Sequence, residues 1–569
     1  MLVKSNIEQQ AILDAGMSGK ERILAINALA GTGKTTTLTL LANGPLAKTN
    51  IHYITFNARA ATDARKRFGS NTIASTAHSL AWQSRCPGTT SPMSAIFASR
   101  LVHGGLYGAL VQVSENETRL RQSFTNVSRA LRLERSGWRG GISPVLQVID
   151  EFTKSPDMEI STRHIPKPIQ ILAKRMHATS HLDVLIKEAQ RLWERQIDPQ
   201  STMPVSHSVY LKLASLDPEP IDAEVVFFDE AQDASAPMLR ILEAHAGRGG
   251  RLVLVGDKYQ HIYGWAGAMN AIDELATKYP DESLVLPLCR SYRFGQDIAD
   301  SGNVFLNAMG AGYSLIGMGP PGEAVGYADT TTVLFRSNLR LIMEILSLVK
   351  ADSGVKFHVV GGTKDIGYML NDLAGLFEGR LAKSGELCGF ADWEELTEFS
   401  ETPLGSGYRP LVNLVERMGG AVGGVLRVLN MNESNAKKAE VVLATAHKAK
   451  GAQWGSVTLS REFRNVWEAS VSTHGDNVAY TLPDHEEMAL QYVAATRAET
   501  LLADSGLVPF VNEHLRLMHF GGTPEGARII PKARRQPTHV GQPRDSHTTD
   551  VSDLANAKTN RYAGSLFDG

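Results

Sequence analysis

The chain has 569 residues, 43% of them apolar and 21% charged. That composition excludes a fibrous or disordered protein and supplies core for several domains. Its formal net charge of −2 leaves no global attraction for polyanions, so any such partner needs a local patch.

Cys86, Cys289 and Cys388 lie far apart without metal-ligand spacing, which points to a reduced compartment. The first residues lack the apolar core of a signal peptide, and no apolar run is long enough to span a bilayer. A soluble cytoplasmic protein is expected, nucleoid-associated if bacterial.

In chain order, residues 23–26 read as a buried strand running into Ala28-Leu29-Ala30-Gly31-Thr32-Gly33-Lys34-Thr35-Thr36. A glycine-rich turn opening a helix aims backbone N–H groups and the helix N-terminus at phosphates. Lys34 is placed to reach terminal phosphates and the Thr35 hydroxyl to ligate Mg²⁺. Ala28 stands where the general pattern has its first glycine.

Residues 51–56 read as a second strand, followed by a basic helix through Arg59, Arg65, Lys66 and Arg67. From about 86 to 204 helical periodicity dominates, as in an inserted helical subdomain. There Arg119, Arg121, Arg129, Arg132, Arg135 and Arg139 stand against Glu134, a patch suited to duplex nucleic acid or to a solvated helix face. Strands return at 225–228 and 252–255. The first ends in Asp229-Glu230, where a phosphate-loop enzyme needs one acid for the metal's hydration shell and another to activate water. Together the two runs predict binding and hydrolysis of a nucleoside triphosphate.

A second α/β block is expected from about 283, with strands at 332–335, 357–360, 441–444 and 456–459 and a largely helical insertion between 377 and 438. Beyond 524 the chain turns basic and then polar, reading as a disordered tail. Leu566-Phe567 near its end is a candidate contact for a partner's groove, with an incidental apolar pair as the plainer reading. Two α/β blocks with parallel sheets predict a site in the cleft between them.

Motifs in a recurring order carry a resemblance. Val226-Phe227-Phe228-Asp229-Glu230-Ala231-Gln232-Asp233, Gly256-Asp257-Lys258-Tyr259-Gln260 with Tyr263-Gly264-Trp265, Leu288-Cys289-Arg290-Ser291-Tyr292-Arg293, Thr445-Ala446-His447-Lys448-Ala449-Lys450-Gly451 and Tyr492-Val493-Ala494-Ala495-Thr496-Arg497-Ala498 resemble superfamily 1 DNA helicases of the UvrD/Rep class. Gly31-Thr32-Gly33-Lys34-Thr35-Thr36-Thr37-Leu38 with Thr76-Ala77-His78-Ser79-Leu80-Ala81 looks more like the F-box DNA helicase branch.

The resemblance implies two RecA-like P-loop domains: 1A at 1–88 and 205–282 with insertion 1B at 89–204, and 2A at 283–376 and 439–524 with a reduced 2B-type insertion at 377–438. The tail is 525–569. It further implies an ATP-dependent, 3′–5′ motor on single-stranded DNA that unwinds duplex in repair, recombination or replication. ATP and Mg²⁺ would be its cofactors, single strands and junctions its substrates, and a monomer its state, with a protein partner at the tail and no membrane.

By the same resemblance Gln9 reads the adenine edge, Tyr292 stacks on adenine, and residues Ala28 to Thr36 cradle phosphate. Thr35 and Asp229 hold Mg²⁺, Glu230 positions water, Gln260 senses the γ-phosphate, and Arg293 and Arg497 reach it as the cleft closes. The DNA track takes Phe56, Asn57, Thr76, His78, Tyr263, Trp265, Thr445, His447 and Lys448. Leu29 departs from a small residue, and Gln453 stands where a glutamate contacts the ribose. Two alternatives share these motifs: a translocase that displaces proteins without unwinding, and a nucleotide-switched DNA-binding recruitment module.

Overall fold

In the computed structural model the described residues are 5–531 apart from 86–97, 103–105, 133, 176, 178, 351–354, 381, 383–386, 388–389, 391, 403–407, 420–428, 430–435, 475–476 and 520–527. Cys86, Cys388 and the Leu566-Phe567 pair therefore lie outside them, as do the side chains of Glu134 and Arg135.

Ile23–Ala28 (β1), Ile51–Thr55 (β2), Thr72–Thr76 (β3), Val225–Asp229 (β4), Arg251–Gly256 (β5) and Ser283–Leu288 (β6) form one parallel sheet in the order β3-β2-β4-β5-β1-β6. β1, β2 and β4 are buried at every residue, which is why they read as continuous apolar runs rather than as alternations. Because β4, β5 and β1 are neighbours, the loops at their C-terminal ends meet at one place, where open parallel sheets hold ligands.

One boundary moves. Ser283–Leu288 was expected to open the second block, but it pairs in parallel with β1 as the edge of the first sheet. Its alternating burial, with Val285 exposed and Pro287 tolerated at the rim, suits an edge strand.

Glu323–Val325 (β7), Thr332–Phe335 (β8), Phe357–Val359 (β9), Val441–Thr445 (β10), Trp454–Leu459 (β11) and Ala498–Ala503 (β12) form a second parallel sheet, ordered β7-β12-β11-β8-β10-β9. The chain is thus α/β with two parallel sheets.

Between 98 and 204 the regular elements among the described residues are helical, including Leu106–Asn116, Thr118–Ala130, Ile142–Lys154 and Leu182–Ile197. Their buried faces meet through Leu120, Phe124, Val148, Phe152, Leu185 and Leu192. In the second block, helices Trp393–Ser400 and Arg409–Met418 are described between 377 and 438. The expected disordered tail begins instead with a strand, Arg528–Pro531, paired antiparallel with Asn477–Tyr480; residues 532–569 lie outside the description. No helix among the described residues is long and apolar enough to cross a membrane.

Candidate functional site

β1 feeds the glycine-rich loop, and the helix Lys34–Asn43 follows with Gly33 as its N-cap at φ 84° and no capping side chain. The first-turn N–H groups and the positive end of the helix dipole are left for an anion. Gly31 has φ 74°, and a Cβ there would come within 2.4 Å of Ser291 Oγ and 2.7 Å of Arg293 Cβ, so the second block rests against the loop itself. Thr32 Oγ1 braces the loop by donating to Leu29 O at 2.8 Å.

Leu29 is fully buried and packs with Tyr259, Ile262, Phe294 and Phe305. The departure from a small residue thus plugs the loop into the second block's core. Ala28 is buried too. Thr36, like Thr35, sits in the first turn of the helix.

β4 delivers Asp229 and Glu230. The Tyr53 hydroxyl donates to Asp229 Oδ2 at 2.5 Å, and Lys34 Nζ donates to Glu230 Oε2 at 2.8 Å. Glu230 adopts left-handed φ 55°, a conformation that costs of order 1–3 kcal/mol and persists where surroundings over-determine it. Burial and the neighbouring Glu230 push Asp229 up to about 6. Glu230 is held down at about 2: burial opposes this, but Lys34 and Lys450 outweigh it. Burial would lower Lys34, yet Glu230, Asp229 and Asp257 hold it above its ordinary value.

Among the described residues no group of three or more His, Cys, Asp or Glu makes a protein-only metal cage. The Thr35 hydroxyl and Asp229 are hard oxygen donors of the kind Mg²⁺ takes when water and phosphate complete its shell. Asp229 is buried beside Glu230, a pair of carboxylates whose charge a cation offsets, so the residues fit that ion.

Asp257, at the end of β5, receives Gln260 Nε2 at 2.8 Å and the Tyr492 hydroxyl at 3.1 Å; its burial raises it to about 6. Tyr492 also accepts the Ala30 N–H at 3.0 Å. Arg497 is 1% exposed and donates to Val493 O, Ala452 O and Gln260 Oε1 at 2.8, 3.3 and 3.3 Å. Burial, with Arg293 nearby, lowers it to about 9. Arg497, expected to reach the γ-phosphate as the cleft closes, spans the two blocks here through Gln260.

Arg293 donates from Nε to Gln453 Oε1 at 3.0 Å and from Nη1 to Thr496 O at 2.7 Å. Lys450 Nζ binds Asp233 Oδ2 at 2.5 Å and Gln260 O at 2.7 Å. Gln9, buried, donates to Thr37 Oγ1 at 3.1 Å and closes a capping box with Asn6. Asn6 in turn donates to the hydroxyl of the half-exposed Tyr292 at 2.9 Å. Asp257, Tyr492, Lys450 and Asp233 lie inside the quoted motifs, where residue type was the only signal of a role.

Beside this cluster a cleft of about 720 Å³ is lined by Tyr263, Trp265, Arg336, Thr445, His447 and Lys448, with Asp484, Glu486 and Glu487 on its wall. Trp265 is 70% exposed, and the Tyr263 hydroxyl donates to His447 O at 3.1 Å. The other expected track residues lie in the first block. Phe56 packs on Phe228 with centroids 5.6 Å apart. Asn57 caps the helix Ala58–Arg67, and Thr76 Oγ1 bonds the Ser79 N–H and hydroxyl. His78 stands edge-on to His207 and Tyr210. In the helical insertion Arg139 of the basic patch pairs with Glu115, while Glu117 pairs with Arg195 outside it.

Residues 9–266 match a family described as an AAA domain. Over 523 residues, 87% of the chain and 56% of the relative, the chain is 26% identical to F-box DNA helicase protein 1 of Schizosaccharomyces pombe. Over 540 residues, 88% of the chain and 49% of the relative, it is 26% identical to F-box DNA helicase 1 of Gallus gallus. A stretch of 85 residues, 15% of the chain and 11% of the relative, is 39% identical to ATP-dependent DNA helicase PcrA of Leuconostoc citreum. The chain spans about half the length of the first two.

Proposed function

We propose that the chain, a superfamily 1 helicase of the F-box helicase branch by these likenesses, is an ATP-driven motor that moves 3′–5′ on single-stranded DNA and separates duplex. The observation that carries this reading is one loop. Residues 257–265 hold Asp257 and Gln260 against Tyr492 and Arg497, and place Tyr263 and Trp265 in the adjoining cleft. A change at the nucleotide is a change in the same loop that bears the stacking side chains.

In this reading the free amides of the first helical turn and Lys34 hold the β- and γ-phosphates, which requires Lys34 to leave Glu230. Glu230, ionised at neutral pH, then accepts the proton of an attacking water. Mg²⁺, when bound, neutralises phosphate charge, with Thr35 and Asp229 as its protein donors. Arg293 and Arg497 stabilise charge on the transferred phosphoryl group, an effect worth about 10³–10⁵ in rate for such arginines. Gln9 and Tyr292 take the base. Trp265, Tyr263, Thr445, His447 and Lys448 hold the strand, stacking being worth about 1–3 kcal/mol per base whatever its identity.

Purified protein on matched 3′-tailed and 5′-tailed duplexes, with ATP hydrolysis followed in the same tubes and Glu230→Gln as control, tests it. The expected result is separation of the 3′-tailed substrate alone, with turnover falling about 10²–10⁴-fold in the variant. DNA-stimulated hydrolysis without separation replaces the reading with a translocase. Nucleotide-dependent DNA binding without hydrolysis replaces it with a recruitment module.

A further inference from the structure

Arg293 is held by a two-step relay. Its Nε donates to Gln453 Oε1 at 3.0 Å, and Gln453 Nε2 donates to Glu499 Oε1 at 2.5 Å. With Nη1 spent on Thr496 O, Nη2 is the guanidinium nitrogen with no partner among the described residues. The arginine's stem already lies against the phosphate loop at Gly31.

The order of the groups matters. An amide can be turned either way, and a carboxylate, which only accepts, dictates that the NH₂ faces it and the carbonyl faces Arg293. Donation to a charged acceptor also polarises the amide and strengthens its carbonyl as an acceptor. A carboxylate placed directly on the guanidinium would form an ion pair and compete with phosphate. A neutral amide between them transmits orientation and leaves the positive charge available.

We propose that Glu499 is a positioning residue for ATP hydrolysis, acting through Gln453 to hold the Arg293 guanidinium with Nη2 free for the γ-phosphate. This rests on the reading of Arg293 given above. Glu499, on β12, lies two positions after Arg497, and Thr496 O holds the other side of Arg293, so one stretch of backbone sets both arginines. Preorganising a long side chain removes the entropy cost of finding it in the transition state.

The test is steady-state ATP hydrolysis by the full chain, saturated with an unstructured DNA oligonucleotide, for Glu499→Ala, Glu499→Gln, Gln453→Ala and the alanine pair. Glu499→Ala is expected to lower kcat about ten-fold, with KM for ATP changed less than about two-fold. Glu499→Gln keeps an acceptor but no longer dictates which way the Gln453 amide faces, so it should recover only part of that loss. The double variant should be no slower than Gln453→Ala, since the hydrogen-bonded route from Glu499 to Arg293 runs through Gln453. Wild-type rates in Glu499→Ala, or additive losses in the pair, overturn the proposal. A wild-type protein that does not hydrolyse ATP would instead overturn the function on which it rests.

Discussion

The Tyr492 hydroxyl accepts the Ala30 N–H at 3.0 Å and donates to Asp257 at 3.1 Å, so a side chain of the second block closes a hydrogen-bond chain inside the phosphate loop of the first. Tyr492→Phe keeps the packed ring and strands a buried N–H. The expected cost is about 1–3 kcal/mol, measured as a lowered urea midpoint, with no matching loss in a variant of an exposed tyrosine such as Tyr368.

Trp265 and Phe56 were both expected on the DNA track, and the structure separates them. Trp265 projects into the cleft, so Trp265→Ala should weaken single-strand binding by about 1–3 kcal/mol in a fluorescence titration and leave the melting temperature unchanged. Phe56 packs on Phe228, so Phe56→Ala should lower the melting temperature first.

Leu29 predicts a packing effect with a kinetic consequence. Truncation to Ala empties a fully buried site between the loop and the second block, costing about 2–5 kcal/mol. Denaturation should show the loss. Weakened ATP binding should accompany it, because the loop is no longer braced.

His52 sets an acid limb. It is buried, bonded to Ser75 Oγ at 2.7 Å, and lowered to about 4 by burial and then by His245. The unfolded chain takes its proton near 6.5, while the folded protein resists until about 4. Stability from this group is complete above 6.5 and is lost as pH falls to 4, by up to about 3 kcal/mol. His52→Gln carries no proton and should flatten that limb in unfolding measured from pH 7 to 4.

Particular strands and side chains divide what was legible from what was not. β1 and β4 are buried on both faces and therefore appear as unbroken apolar runs; the glycines and acids at their ends mark a phosphate site by type alone. β6 has the alternation of any edge strand, and only its pairing with β1 assigns it to the first sheet. Trp265 was readable as exposed because Gly264 and Gly267 flank it. His78 was not readable as a neighbour of His207 and Tyr210, because they come from a distant segment.

The sequence by itself determined the α/β class, the phosphate loop, the acidic strand end and the residues resembling a superfamily 1 motor, since periodicity and turn chemistry are local properties. The tertiary structure alone decided that Tyr492 bridges Ala30 and Asp257, that Arg497 is already bonded to Gln260, and that Gln453 and Glu499 hold Arg293. The partners of Tyr492 and Arg497 in the first block lie more than 200 residues away along the chain, and Arg293 is 160 residues from Gln453. The contacts of Tyr492 and Arg497 exist only where the two blocks pack, and that of Arg293 only where distant segments of the second block meet; no local pattern encodes either.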